Sequence, residues 1–77
     1  MDIREEVRNI IAEIIELPVD QLEDDATMEF VKGWDSMHNV MILAALEDHF
    51  DILFPDDDVL DLVSVNAFVE EIEELKA

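Results

Sequence analysis

Very little in this chain can interrupt a helix. Pro18, Gly33 and Pro55 are the only proline and glycine residues in 77. They stand as punctuation between long unbroken segments, a pattern of helices joined by loops rather than of many tight β-turns. A chain of this length is one small domain, residues 1–77, with a thin core. Packed helices are the cheapest way to stabilise such a core without staples. With no cysteine, disulfides and thiolate metal sites are excluded. Apolar residues make up 51% of the chain, enough to fold it despite 34% charged residues.

The segments have helical periods. Asp2 is placed to cap a first helix, with Glu5 and Glu6 at the positive end of its dipole. Ile3, Val7, Ile10, Ile11, Ile14 and Leu17 form its apolar stripe, and Arg4, Arg8, Glu13 and Glu16 lie off it. Pro18 predicts an end at about Leu17. Residues 18–34 lose the period, and Leu22, Met28 and Phe30 are expected to anchor this long loop to the core. A second helix is predicted over Ser36–Phe50, with Asn39, Ile42, Leu43, Leu46 and Phe50 inward. It carries a second apolar stripe, Met37, Val40, Met41 and Ala44, more than a surface helix needs. That stripe is either buried in another direction or displayed to a partner.

Pro55 and the acids Asp56–Asp58 open a short helix, with Val59, Leu60, Leu62 and Val63 to pack it. Ser64 can cap a last helix from Val65 to about Leu75, with Val65, Phe68, Val69, Ile72 and Leu75 inward. Its capping box is incomplete, because Ala67 stands where Glu or Gln would close it. The predicted fold is all-α, a bundle of three main helices plus one short helix, with a long loop between helices one and two.

Twenty-two acids against four cations give a formal charge of −18. Such a surface repels nucleic acid and anionic membranes and attracts basic protein partners over long range. It also predicts a fold that gains from added salt. No apolar run approaches the ~20 residues of a membrane span, and the first residues lack a secretion-signal pattern. A cytoplasmic location is expected.

Thr27, Ser36 and Ser64 are the only hydroxyl side chains. Ser36 stands in "KGWDSMHNVM", behind Asp35 and ahead of the apolar helix. It lacks the flanking glycines of a nucleophile elbow. His38, two residues along a helix, turns away from it, and His49 lies further along the same helix. No catalytic residue is therefore expected, and both histidines read as surface or core-edge residues. "DHFDILFPDDD" lacks the alternation and glycine of a calcium loop, and one glycine cannot make a phosphate cradle. No metal site is expected, beyond weak ion binding at Asp56–Asp58. Two readings of Ser36 remain: a helix N-cap, or the anchor of a modification whose phosphate would lie against the free N–H groups of the first turn.

The run "GWDSMHNVMILAALEDHFDILFPDDDV", Gly33 to Val59, resembles the acyl carrier proteins and their peptidyl and polyketide relatives. It matches their Asp-Ser-Leu motif, the following apolar helix, Leu-Glu-acid-x-Phe and the Pro-acid run. The resemblance implies that Ser36 carries 4'-phosphopantetheine, and that Asp35 assists its transfer in the metal site of a phosphopantetheinyl transferase using coenzyme A. It implies a non-catalytic, monomeric carrier of thioester-bound acyl groups in fatty acid or a specialised acyl or polyketide pathway. Partner enzymes with basic docking surfaces would meet Met37, Val40, Met41, Ala44, Glu47 and Asp48. Ile42, Leu43, Leu46, Val63 and Phe68 would line an acyl pocket. Met37 replaces the usual leucine. His38 and Met41 replace acids common in fatty-acid carriers, and Trp34 resembles carriers of dedicated pathways. An aminoacyl or peptidyl carrier, or an unmodified acidic interaction module, are the alternatives.

Overall fold

A computed structural model describes residues 2–76. Among the described residues there are four α-helices, α1 (Ile3–Ile14), α2 (Ser36–Phe50), α3 (Asp56–Val59) and α4 (Val65–Lys76), with a single 3-10 turn at Val19–Gln21. This is the expected all-α arrangement. The starts follow from the side chains before them. Asp2 accepts the Arg4 N–H at 3.0 Å, Asp35 accepts the His38 N–H at 2.9 Å, and Ser64 Oγ accepts the Ala67 N–H at 3.0 Å. Each satisfies one donor that the helix cannot satisfy itself.

The end of α1 falls three residues before the predicted Leu17. Glu16 turns left-handed at φ 57°, and the Leu17 N–H reaches back to the Ala12 carbonyl at 2.9 Å. This is a Schellman stop, normally built on glycine. Asp51 closes α2 in the same way at φ 56°, with the Ile52 N–H on the Glu47 carbonyl. Gly33 holds φ 92° just before α2, a value that favours a residue without Cβ.

α1 packs against both α2 and α4. Val7 and Ile11 from α1, Ile42 and Leu46 from α2, and Val65, Phe68 and Ile72 from α4 are fully buried. Phe54, after α2, lies against Phe68 with ring centroids 5.9 Å apart. Leu75 is more exposed than predicted, one turn beyond Ile72 at the end of α4.

The long first loop is packed, but not by the expected trio. Leu22 is fully buried and Met28 half-buried, whereas Phe30 is 82% exposed. A single turn, in which the Phe30 and Val31 N–H groups both donate to Thr27 O, leaves Val31 half-buried and Phe30 outside. Trp34, 2% exposed, fills the core in its place. Backbone bonds from Met28 to Val63 and from Val65 to Ala26 fasten this loop to the segment before α4. The two arginines off the α1 stripe hold the rest. Arg8 donates to the Leu22 and Val19 carbonyls, and Arg4 to Asp24 O and Asn66 Oδ1. Leu60 corrects another expectation: it is 87% exposed, and Leu62 takes the buried place.

Candidate functional site

The candidate site is the first turn of α2. Its cap is Asp35, whose Oδ1 takes the His38 N–H, so Ser36 is the first helical residue rather than the cap. The N-cap reading of Ser36 is thereby replaced: its side chain is exposed and the capping task is done by its neighbour. His38 Nδ1 also lies 2.8 Å from the same Asp35 oxygen. A carboxylate can only accept, so Nδ1 carries the proton in that contact. The backbone bond from His38, then the bond from its ring, hold the Asp35 carboxyl below its ordinary pKa.

A Ser–His relay is not assembled here. His38 is engaged by Asp35, and His49 Nε2 lies 2.8 Å from Glu6 Oε1, across the α1–α2 contact. Among the described residues no group of three or more histidines and carboxylates is placed to hold a metal ion, Asp56–Asp58 included.

Asn39, buried one turn into α2, locks the loop behind Ser36. It accepts from Trp34 Nε1 at 2.9 Å and donates to Leu62 O at 3.0 Å. One amide thus joins the loop before the serine to the segment after α3.

Beside Ser36 opens an apolar crevice of about 240 Å³ between α2, α3 and the first loop. Leu43 and Val63, two of the five residues expected at an acyl pocket, line it. Ile42, Leu46 and Phe68 do not: they are fully buried in the helix–helix core, on the inward face of α2 and on α4. At 100° per residue Leu43 lies on the flank of α2, while Ile42 and Leu46 point to its centre. Met28, Ser36, Asn39, Val40, Val59 and Leu60 complete the lining. Ser36, Val40 and Leu43 stand at i, i+4 and i+7, so the spacing from the serine carried a signal for Val40.

The second stripe of α2 is displayed. Met37 is 73% exposed, Val40 65% and Met41 49%, with Ala44 and Asp48 also exposed. Val40 faces both this surface and the crevice. Glu47 is half-buried, and its Oε2 accepts the Phe54 N–H at 2.8 Å, so it helps hold the chain after α2. No acid occupies the first turn of α2.

These residues suit a covalently attached phosphopantetheine: an exposed hydroxyl released from capping, on a helix N-terminus, next to an apolar crevice. Comparison with known proteins agrees. A family model described as "Phosphopantetheine attachment site" matches residues 5–72. The acyl carrier protein of Campylobacter hominis is 33% identical over 75 residues, covering 97% of this chain and 95% of that relative. The prosthetic group of such domains is 4'-phosphopantetheine. The chain belongs to the acyl carrier protein family of phosphopantetheine-binding carrier domains.

Proposed function

We propose that Ser36 is the attachment point of the arm and that the protein carries acyl intermediates, as thioesters, between enzymes of a specialised acyl pathway. The observation that carries this is the division of labour at the start of α2: Asp35 caps the helix and Ser36 is left exposed. The arm supplies the thiol that a chain without cysteine lacks. Asp35 is the carboxylate that assists its transfer, by offering an oxygen to the metal ion of the transferase. Leu43, Val63 and Val40 are the side chains that would shelter an acyl chain, with Leu60 at the mouth of the crevice.

Partner enzymes meet Met37, Val40, Met41 and Ala44 as an apolar face, with Asp48 beside it. Glu47 contributes less, because one of its oxygens is already bonded to Phe54 N. The charge of −18 supports docking to basic surfaces and a chain that stays monomeric. It favours an acyl over an aminoacyl or peptidyl cargo. His38 and Met41, where acids are usual, support partners other than those of housekeeping fatty acid synthesis. We place the protein in the cytoplasm; among the described residues no helix is long and apolar enough to cross a membrane.

The test is incubation with coenzyme A, magnesium and a phosphopantetheinyl transferase, followed by intact mass. The wild-type chain should gain one phosphopantetheine and Ser36→Ala none. An unchanged wild-type mass, or a Ser36→Ala chain that still gains the arm, overturns the assignment.

A further inference from the structure

The two flanks of α2 are differently built. On one lie Ser36, Leu43 and the crevice. About half a turn of helix around it, His38 and Ala45 face α1 instead. There a second groove, of about 700 Å³, runs between α1 and α2. Its apolar lining is Ile10 and Ile14 from α1 with Met41 and Ala45 from α2. Both isoleucines are only half-buried, and Met41 is 49% exposed. The groove extends along α2 from His38 to His49, about 16 Å at 1.5 Å per residue, the length of about three helical turns.

The rim decides what can enter. Glu13 from α1 and Glu16 from the turn that ends it border the groove on one side, and Asp48 from α2 on the other. All three are exposed. The two histidines at its edge are each held by another carboxylate, His38 by Asp35 and His49 by Glu6. An apolar floor inside an acidic rim repels an anionic lipid surface. It equally repels a second copy of a chain with a charge of −18. The complementary shape is an amphipathic helix with apolar residues on one side and lysine or arginine flanking them.

We propose that the α1–α2 groove is a docking site for a basic amphipathic helix of a partner protein. It shares Met41 and Asp48 with the exposed face of α2 but leaves Ser36 and its crevice uncovered. A partner seated there could hold the carrier while the serine side serves another enzyme. This stands independently of the attachment assignment, because none of the groove's features involves Ser36.

The probe is a synthetic peptide about four turns long, leucine on one face and lysine on the other, titrated into the full-length protein and followed by NMR. The methyl signals of Ile10, Ile14, Met41 and Ala45 should move while those of Leu43, Val59 and Val63 stay. The double variant Glu13→Lys, Glu16→Lys, confirmed as folded by circular dichroism, should bind at least about tenfold more weakly. Three results each overturn the proposal: shifts centred on Leu43, Val59 and Val63, shifts spread evenly over the acidic surface, or unchanged affinity in the double variant. Shifts that grow with protein concentration in the absence of peptide would assign the groove to a second copy and equally overturn it. A protein that refuses the arm at Ser36 but still binds peptide in the groove loses only the carrier assignment.

Discussion

Replacing Asn39 should cost this fold more than any other single polar change. In Asn39→Ala, Trp34 Nε1–H and the Leu62 carbonyl each lose their partner in a buried setting. An orphaned buried group costs about 1–3 kcal/mol, so two together give about 2–6 kcal/mol. A chain of this size is stable by about 4–11 kcal/mol. The variant should therefore lose a large share of its stability, and melt lower by at least about 8 °C. Trp34→Phe alone removes the donor and leaves Asn39 Oδ1 unpaired, which costs about 1–3 kcal/mol.

The double variant Trp34→Phe, Asn39→Ala leaves only the Leu62 carbonyl unpaired. It should be more stable than the sum of the single changes predicts, by about 2–6 kcal/mol, the cost of the two orphaned groups that the double variant no longer has. Urea unfolding followed by far-ultraviolet circular dichroism measures all four proteins without relying on Trp34 fluorescence. If Asn39→Ala costs less than about 0.5 kcal/mol, or if the two changes add within about 0.3 kcal/mol, the amide does not clamp the loop and the reasoning fails.

Glu16→Gly should raise stability by about 1 kcal/mol in the same assay, because Glu16 holds a left-handed conformation that costs a residue with a Cβ. Arg8→Met should cost about 2 kcal/mol and speed amide exchange across Val19–Ala26, since its guanidinium holds the carbonyls of Val19 and Leu22. Glu71 has its pKa raised, by burial first and then by Asp58 beside it, so its ionised form is disfavoured by folding. The penalty exists above its unfolded pKa and fades as pH falls through the raised value. Glu71→Gln should accordingly stabilise the protein at neutral pH and lose that advantage in mild acid, as thermal melts at the two pH values will show. Magnesium or added salt should raise the melting temperature by screening the charge of −18, and a flat response would contradict that.

What could be read from the sequence follows the regular segments. The bounds of α2 were legible because an unbroken helical pattern runs from Ser36 to Phe50, and its second apolar stripe was correctly seen as surplus to the core; one of the two readings of Ser36 put the cap a residue late, since Asp35 is the cap. The end of α1 was not, because the expected signal, a glycine, is absent and Glu16 takes the strained turn itself. Phe30 and Leu60 were misplaced for a different reason. Hydrophobicity says that a side chain gains from burial, but outside a helix no period says which way it points. Three of the five residues expected at an acyl pocket, Ile42, Leu46 and Phe68, lie away from the crevice beside Ser36, because they were chosen from the inward stripe, whereas a crevice beside a helix is lined by its flank. The roles of Asn39, Arg4 and Arg8 depend on backbone carbonyls 11 to 23 residues away, and for Arg4 also on the Asn66 side chain 62 residues away, which only the fold brings near.

Met37 and Met41 give the exposed face of α2 an unusual material. A thioether on three rotatable bonds moulds itself to sockets of different contour, which branched side chains resist. The same exposure makes the face vulnerable to oxidation. Converting either sulfur to its sulfoxide would make that surface polar without altering charge, core or the serine. On the proposed assignments, air-aged protein would remain folded and open to modification at Ser36 while losing its grip on apolar sockets, and a methionine sulfoxide reductase would restore it.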